Sequence, residues 1–240
     1  MPLKVELHAH SSDDPEDRVP YTTVQLIDRA AALGYDALAL TLHNLQLDLD
    51  PLRRHAETRG VALIPGVERT IEGKHVLLLN FTAQGSAVTS FDALARLRAA
   101  EAGLVIAPHP FYPISSSLGP MLERHPALFD AVEINSMYAP GIDFNRRAVR
   151  WAASHGKPIV GGGDVHRLAQ LGTTYSMIDS AADPRAICEA VRAGRVRVET
   201  RPLSWVKSAA IFADLVRAWL WTSLRGPRRA AGESKHSLIQ

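Results

Sequence analysis

A single cysteine, Cys188, stands in the 240-residue chain. With no second thiol there can be no internal disulfide, which excludes a disulfide-built secreted scaffold and suits a reducing, cytoplasmic setting. Lysine is scarce as well, confined to Lys4, Lys74, Lys157, Lys207 and Lys235. No uninterrupted apolar stretch reaches the roughly 18 residues that a spanning helix needs. The nearest approach, SAAIFADLVRAWLWTSL at 208–224, is broken by Asp214 and Arg217. It reads as a C-terminal helix packed on its own domain or on a second copy of the chain, although its tryptophans and flanking arginines would also suit a membrane surface. The opening MPLKVELHAH lacks the apolar core of a secretory leader, because Lys4 and Glu6 interrupt it. Excess charge is missing too. The formal net charge is +2, and the sequence pI near 8.8 owes part of its height to the solvated tail RGPRRAAGESK. No interleaved run of basic and aromatic residues suggests a long nucleic-acid track.

What is present is enough apolar material for a core, 46% against 22% charged. Short aliphatic runs alternate with longer helical patterns. Strands are expected over 3–8, 36–41, 61–66, 75–81, 103–107, 130–134, 158–161 and 196–199. Helices are expected over 21–33, 49–59, 88–101, 143–155, 184–193 and 204–224. This alternation means repeated βαβ units and a largely parallel sheet. In YTTVQLIDRAAALG the residues Val24, Ile27, Ala30 and Ala31 fall on one helical face, and Gly34 ends the helix. Glu72-Gly73 reads as a tight turn, so a hairpin is inserted before 75–81. No internal repeat occurs, and no linker divides the chain before about residue 200. Residues 1–200 are therefore expected to form one barrel domain, 201–225 a helix packed on it or on a partner, and 226–240 a flexible basic tail. Seven or so parallel strands suggest a closed or nearly closed barrel, in which functional residues gather at the C-terminal strand ends.

Ligand-type side chains recur at those ends. The first strand closes on His8 and His10, whose i, i+2 spacing points both to one side. The second ends at His43 and the third at Glu68; the hairpin strand opens with His75. GLVIAPHP ends at His109, AVEIN carries Glu133, and PIVGGGDVH ends on Asp164 and His166. The acidic loop after His10 adds Asp13, Asp14 and Asp17. Taken singly, each residue suits a structural role; gathered at successive strand ends, they point to metal binding. The other histidines, His55, His125, His155 and His236, fall in helices, a polar connection and the tail, and read as surface residues. Six imidazoles and several carboxylates exceed what one ion coordinates. Two or three divalent ions, with Glu68 or Asp164 bridging, would use them, and such clusters activate water and clamp oxyanions in an in-line displacement. Phosphate esters are the natural substrates for that chemistry.

The order of motifs HAH, TLH, GVE, HP and GGDVH across residues 5–175 resembles that of the PHP (polymerase and histidinol phosphatase) family. The resemblance implies a distorted (β/α)7 TIM-like barrel holding two or three ions of manganese, iron or zinc. The implied activity is hydrolysis of phosphomonoesters or phosphodiesters by a metal-bound hydroxide. Carried over by position, the ligands are His8, His10, His43, Glu68, His75, His109, Asp164 and His166. The family's acidic residue beyond the HxH is matched by Asp14 in preference to Asp13 or Asp17. Glu68, Asp164 and His166 are expected to carry the chemistry. Leu42 departs from the family's usual T-D-H, and strand alternation turns it away from the site. Arg69 and Arg167, each directly after a proposed ligand, would clamp phosphate or serve as salt-bridge residues. Glu133 would orient a histidine, while Tyr112, Tyr138 and Asn135 lie on loops that shape a pocket. The short loops favour a small phosphate ester such as a nucleotide or a sugar or amino-alcohol phosphate, and the C-terminal helix leaves room for a homo-oligomer.

Two other readings compete. An amidohydrolase-type metal hydrolase would also begin with HxH, but needs a lysine at a mid-barrel strand end, and none of the five lysines falls there. A non-catalytic metal-binding scaffold would be expected to have lost ligands or to form a closed, cysteine-rich site.

Overall fold

A computed structural model describes residues 1–211 and 213. Six helices and nine strands alternate along them: β1 Leu3–Glu6, α1 Thr23–Ala32, β2 Ala37–Leu40, α2 Asp50–Thr58, β3 Ala62–Ile71, β4 Lys74–Leu79, α3 Phe91–Ala100, β5 Leu104–Ala107, α4 Pro120–Arg124, β6 Ala131–Asn135, α5 Asn145–Ser154, β7 Ile159–Gly162, β8 Thr174–Ile178, α6 Pro184–Arg192 and β9 Val196–Thr200. All nine strands form one sheet in the order β7-β6-β5-β4-β3-β2-β1-β8-β9, and it curls until β7 comes against β8 and β9. The result is a nearly closed, barrel-like α/β fold.

Local chemistry explains the elements. Thr22 caps α1 in a reciprocal arrangement with Gln25, and Gly34, at φ 71°, ends it. The buried face of α1 is Thr23, Leu26, Ile27 and Ala30, the i, i+3, i+4, i+7 stripe; Val24 lies outside it and is exposed. Glu72 and Gly73 both have positive φ (49° and 75°), as a two-residue hairpin turn requires, and join β3 to β4.

The strict (β/α)7 alternation expected from the sequence is not kept. Strand β4 is antiparallel to both β3 and β5, with no helix between β3 and β4. Strand β8, absent from the sequence reading, runs antiparallel beside β1 and carries β9 on its other edge. Its alternation is hard to see because two of its three inward positions are Thr174 and Ser176, both buried, whose hydroxyls bond Thr200 and Gly161, leaving only Ile178 in the apolar core.

Inside the curl, Val5, Ala37, Ala39, Ile64, Leu77, Leu79, Leu104, Ile106, Ala131 and Val160 form one apolar cluster with Ile187, Cys188, Ala190 and Val191 of α6. Helix α6 thus packs into one end of the curled sheet, and the polar strand ends occupy the other. Residues 205–211 are helical, with Trp205 and Val206 exposed and Ile211 buried. The expected continuation of that helix to 225, beyond residue 213, and the tail after it lie outside the described residues. No described helix is long and apolar enough to cross a membrane.

Candidate metal centre

The C-terminal strand ends, with the start of antiparallel β4, bring six histidines together, five of them around one carboxylate. Glu68 extends from β3 beside Leu77 of β4, and a parallel bridge between His43 and Glu68 prolongs the β2–β3 pairing up to the site. Its Oε1 lies 2.7 Å from His75 Nδ1 and 3.1 Å from His109 Nε2. Its Oε2 lies 3.1 Å from His8 Nε2, 3.2 Å from His10 Nε2 and 3.2 Å from His43 Nε2. Asp164 Oδ1 approaches from the end of β7, 3.5 Å from His8 Nε2, 3.6 Å from His10 Nε2 and 3.3 Å from His166 Nδ1. The ring of His166 stacks on that of His10 at 4.2 Å. His8, His10 and Glu68 are fully buried or nearly so.

Behind the rings stands a second set of carboxylates. Glu133 Oε1 lies 2.8 Å from His8 Nδ1, and its Oε2 accepts the His109 backbone N–H. Asp14 Oδ2 accepts from Nδ1 of both His10 (2.9 Å) and His43 (3.0 Å), while its Oδ1 accepts the backbone N–H groups of Glu16 and Asp17. Asp14, expected among the ligands, thus turns one oxygen to two histidines and the other to the backbone of its own loop. Asp17 Oδ2 holds His166 Nε2 at 2.8 Å. A carboxylate on one ring nitrogen fixes the tautomer and makes the other nitrogen a better donor to a cation.

The electrostatics follow from this crowding. Burial works to raise the Glu68 and Asp164 carboxyls, but the surrounding imidazoles prevail and hold both well below the usual carboxylate range. Burial works to lower His8 and His166, and their carboxylate neighbours override it and push both well above the ordinary imidazole value. His43 is raised to about 9 by Glu68 and Asp14 against its own burial. His10 goes the other way, lowered by burial and by the charges of His166 and His43.

His10 shows why a cation fits. Its Nδ1 donates to Asp14, so its Nε2 carries a lone pair. That atom is buried without a hydrogen-bond partner and faces two carboxylate oxygens. Three electron-rich atoms around one point call for a positive charge between them. Among the described residues, three groups have donor atoms close enough to share an ion: His10, His43 and His166; His8, His10 and Glu68; His43, Glu68 and His75. His10, His43 and Glu68 each belong to two groups, so neighbouring ions would share ligands.

Other expected residues stand elsewhere. Strand alternation turns Arg69 away from Glu68, and its guanidinium bonds the Val88 carbonyl and Asn44 Oδ1. It braces the loop after His43 rather than reaching the cluster. Arg167 bonds the His166 carbonyl. Tyr138 Oη pairs with Thr200 at the β9 edge, and Asp13 is tied to Ser11 and Thr23. Leu42 is buried. His55 pairs with Asp28, His125 stacks on Phe91, and His155 stacks on Trp151, all away from the cluster.

Two residues carry structural weight that sequence reasoning missed or left unassigned. Asn135 donates to Asp164 Oδ2 at 3.0 Å and reaches Glu133 Oε2 at 3.3 Å, so one amide spaces two site carboxylates. Gln170, buried, accepts the backbone N–H groups of His166 and Arg167 and donates to the Asp164 carbonyl. Neither position belongs to a ligand-type pattern. His109 and Asp164 have positive φ (28° and 46°), a strained backbone of the kind that persists where surroundings over-determine it.

Gly162 shows how tightly the shell is built, because a β-carbon there would overlap Glu133 Oε1 and lie 3.1 Å from His8 Cβ. Gly162→Ala should displace the Glu133–His8 pair and weaken metal binding by about tenfold or more. Titration of the folded variant with a divalent ion checks this, and wild-type affinity would refute the contact's importance.

The PHP-associated family model matches residues 143–196, a span that includes Asp164 and His166. No curated protein matches the chain. Several solved structures share its fold. PsfC from Pseudomonas syringae PB-5123 aligns at 19% identity and a TM-score of 0.62 over 91% of this chain and 98% of its own. A protein from Bifidobacterium adolescentis, assigned as a metal-dependent phosphoesterase, aligns at 16% identity and a TM-score of 0.52, over 68% and 87%. The lesion-specific endonuclease Q of Pyrococcus furiosus aligns at 16% and 0.53 over 82% of this chain but 58% of that one. An amidohydrolase from Chromobacterium violaceum aligns at 17% and 0.52, over 86% and 96%. At these identities the structural likenesses speak to fold alone. Motif order, the PHP-associated match and the shared fold agree on one resemblance, and it is to the PHP domain family.

Proposed function

We propose that the chain is a metal-dependent hydrolase of phosphate esters, acting on a small phosphomonoester at a site of two or three divalent ions. The observation that carries this reading is Glu68, one buried carboxylate shared by five imidazole nitrogens at 2.7–3.2 Å. Such an arrangement suits a bridging ligand between adjacent ions, and paired ions suit a phosphoryl group whose oxygens can span them. His8, His10, His43, Glu68, His75, His109, Asp164 and His166 would hold the ions, which when bound would acidify water and polarise the ester. Asp14 and Glu133 keep Nδ1 of three histidines protonated so that each Nε2 faces inward. Asn135 and Gln170 hold Asp164 at the open end of the cluster, where its side chain is 19% exposed. That is the side from which an ester can approach.

The amidohydrolase reading lacks its lysine. Lys4 Nζ bonds the Leu33 carbonyl and Lys74 Nζ, beside His75 in sequence, the Ser115 carbonyl. The lesion-specific endonuclease among the proteins of this fold keeps phosphodiesters of damaged nucleic acid within the range of substrates to be screened.

The test is metal content of protein purified without chelator, together with phosphate release from an aryl phosphate by the same sample. Two or more transition-metal ions per chain, with turnover abolished in His10→Ala, is the expected result. Bound metal with hydrolysis of amides but not phosphate esters would replace the proposal with the amidohydrolase reading.

A further inference from the structure

Glu6 lies outside the ligand set, yet it is wholly buried, and its Oε2 has no hydrogen-bond partner. Leaving a buried carboxyl oxygen unsatisfied is costly, so a residue that merely filled space here would be aliphatic. Its other oxygen explains its presence. Glu6 Oε1 accepts the backbone N–H of Gly163 at 2.7 Å and that of His8 at 3.1 Å.

These two amides lie on opposite sides of the seam where the sheet curls onto itself. Strand β1 is laddered to β8, while β7 reaches β8 through the Ser176 hydroxyl, which bonds both the N–H and the carbonyl of Gly161. Direct β1–β7 pairing appears only past the strand ends, in the His10–Val165 and Val165–His8 backbone bonds at 3.2 Å each. Glu6 fills the interval with a side chain. It also holds the N–H of Gly163, the residue directly before a strained one. The Gly163 carbonyl accepts from Ser136 Oγ and Gln170 Nε2, and the next residue is Asp164 at φ 46°. A β-carbon on Gly163 would stand 2.4 Å from Val165 Cγ2 and 2.8 Å from Glu6 Oε2, so the glycine makes room for both side chains.

We propose that Glu6 is a positioning residue of the metal centre. Through Oε1 it sets the separation of β1 and β7 at the seam and, by holding the Gly163 N–H, fixes the residue before Asp164 so that Asp164 faces His8 and His10. The inference rests on reading the cluster as a metal centre and names a residue that touches neither ion nor substrate.

The test is Zn(II) affinity, measured by competition with a chromophoric chelator, for wild type, Glu6→Ala and Glu6→Gln, alongside melting of each metal-free form. Glu6→Ala should lose about 10–100-fold in affinity, the range for residues that orient ligands. Glu6→Gln keeps an acceptor oxygen for both amides and should recover most of it. A Glu6→Ala protein that melts lower but binds Zn(II) as wild type does would overturn the proposal. Should Glu6→Ala fail to fold, Ser136→Ala releases the carbonyl of the same residue; weakened affinity supports the proposal and unchanged affinity overturns it. Wild type that binds no Zn(II) overturns the metal-centre reading itself, before any variant is compared.

Discussion

Glu68→Gln should empty the site and lower phosphate-ester turnover by about 10³-fold or more, the largest effect expected of any single replacement. Among the described residues Glu68 alone has two oxygens that reach both sides of the cluster, toward His75 and His109 on one and toward His8, His10 and His43 on the other. Glutamine keeps the shape but replaces one of those acceptors with an N–H donor and removes the negative charge. Nitrogens that would face a cation through lone pairs then face a proton donor instead. Metal analysis of the purified variant gives the direct readout. Wild-type stoichiometry in Glu68→Gln would rule out Glu68 as the bridge, and the ions would have to be held chiefly by Asp164 and the imidazoles.

Removing the ions should reverse how stability responds to pH. In the metal-free protein His8, His43, His109 and His166 are all raised above the ordinary imidazole value of 6.5, His43 to about 9. Groups raised on folding contribute stability that is complete below their unfolded value and lost as pH climbs through the folded one. Burial pushes the Glu6 carboxyl up to about 8, so it too favours the folded state less as pH rises from its usual range. His10, lowered on folding, opposes this, but it is one against four. Glu68 and Asp164, both held low, add stability above the usual carboxylate range and lose it in acid. The metal-free protein should therefore melt highest in mild acid and progressively lower from about pH 6.5 to 9.

With ions bound the sign changes, because metals take deprotonated imidazoles and compete with the same protons. At a free ion concentration of about 1,000 times Kd the gain is about 4 kcal/mol, or roughly 8–16 °C for a chain of this size. Melting curves with Mn(II) or Zn(II) and with chelator should diverge from pH 6 to pH 8.5. A gap that narrows as pH rises would mean that the imidazoles are not the ligands.

The strand ends were legible because two simple rules coincide. Apolar runs of strand length alternate with amphipathic helices, and residues at the C-terminal ends of such strands share one face of the fold. On those rules His8, His10, His43, Glu68, His109, Asp164 and His166 could be grouped, and the hairpin adds His75, which opens antiparallel β4 at the same end. The Glu72-Gly73 turn was equally readable, since a two-residue hairpin favours turns with positive φ, which glycine adopts freely. Strand β8 was not, because Thr174 and Ser176, two of its three inward residues, carry hydroxyls bonded to Thr200 and Gly161 rather than apolar side chains in a core.

Nor could the sequence divide ligands from the residues that aim them. Asp13, Asp14 and Asp17 differ little in a string of letters, and chain folding alone puts Asp14 behind His10 and His43 and Asp17 behind His166. Arg69 adjoins Glu68 in sequence, yet points the opposite way because successive side chains of a strand alternate. Glu6, Asn135 and Gln170 act through hydrogen bonds to segments that are distant in the chain or bent back on themselves, which no local pattern encodes. The sequence by itself determined which chemical groups meet at the strand ends, because periodicity is local. Which oxygen faces which nitrogen was decided only by the closing of the sheet, because those contacts join residues up to 157 positions apart.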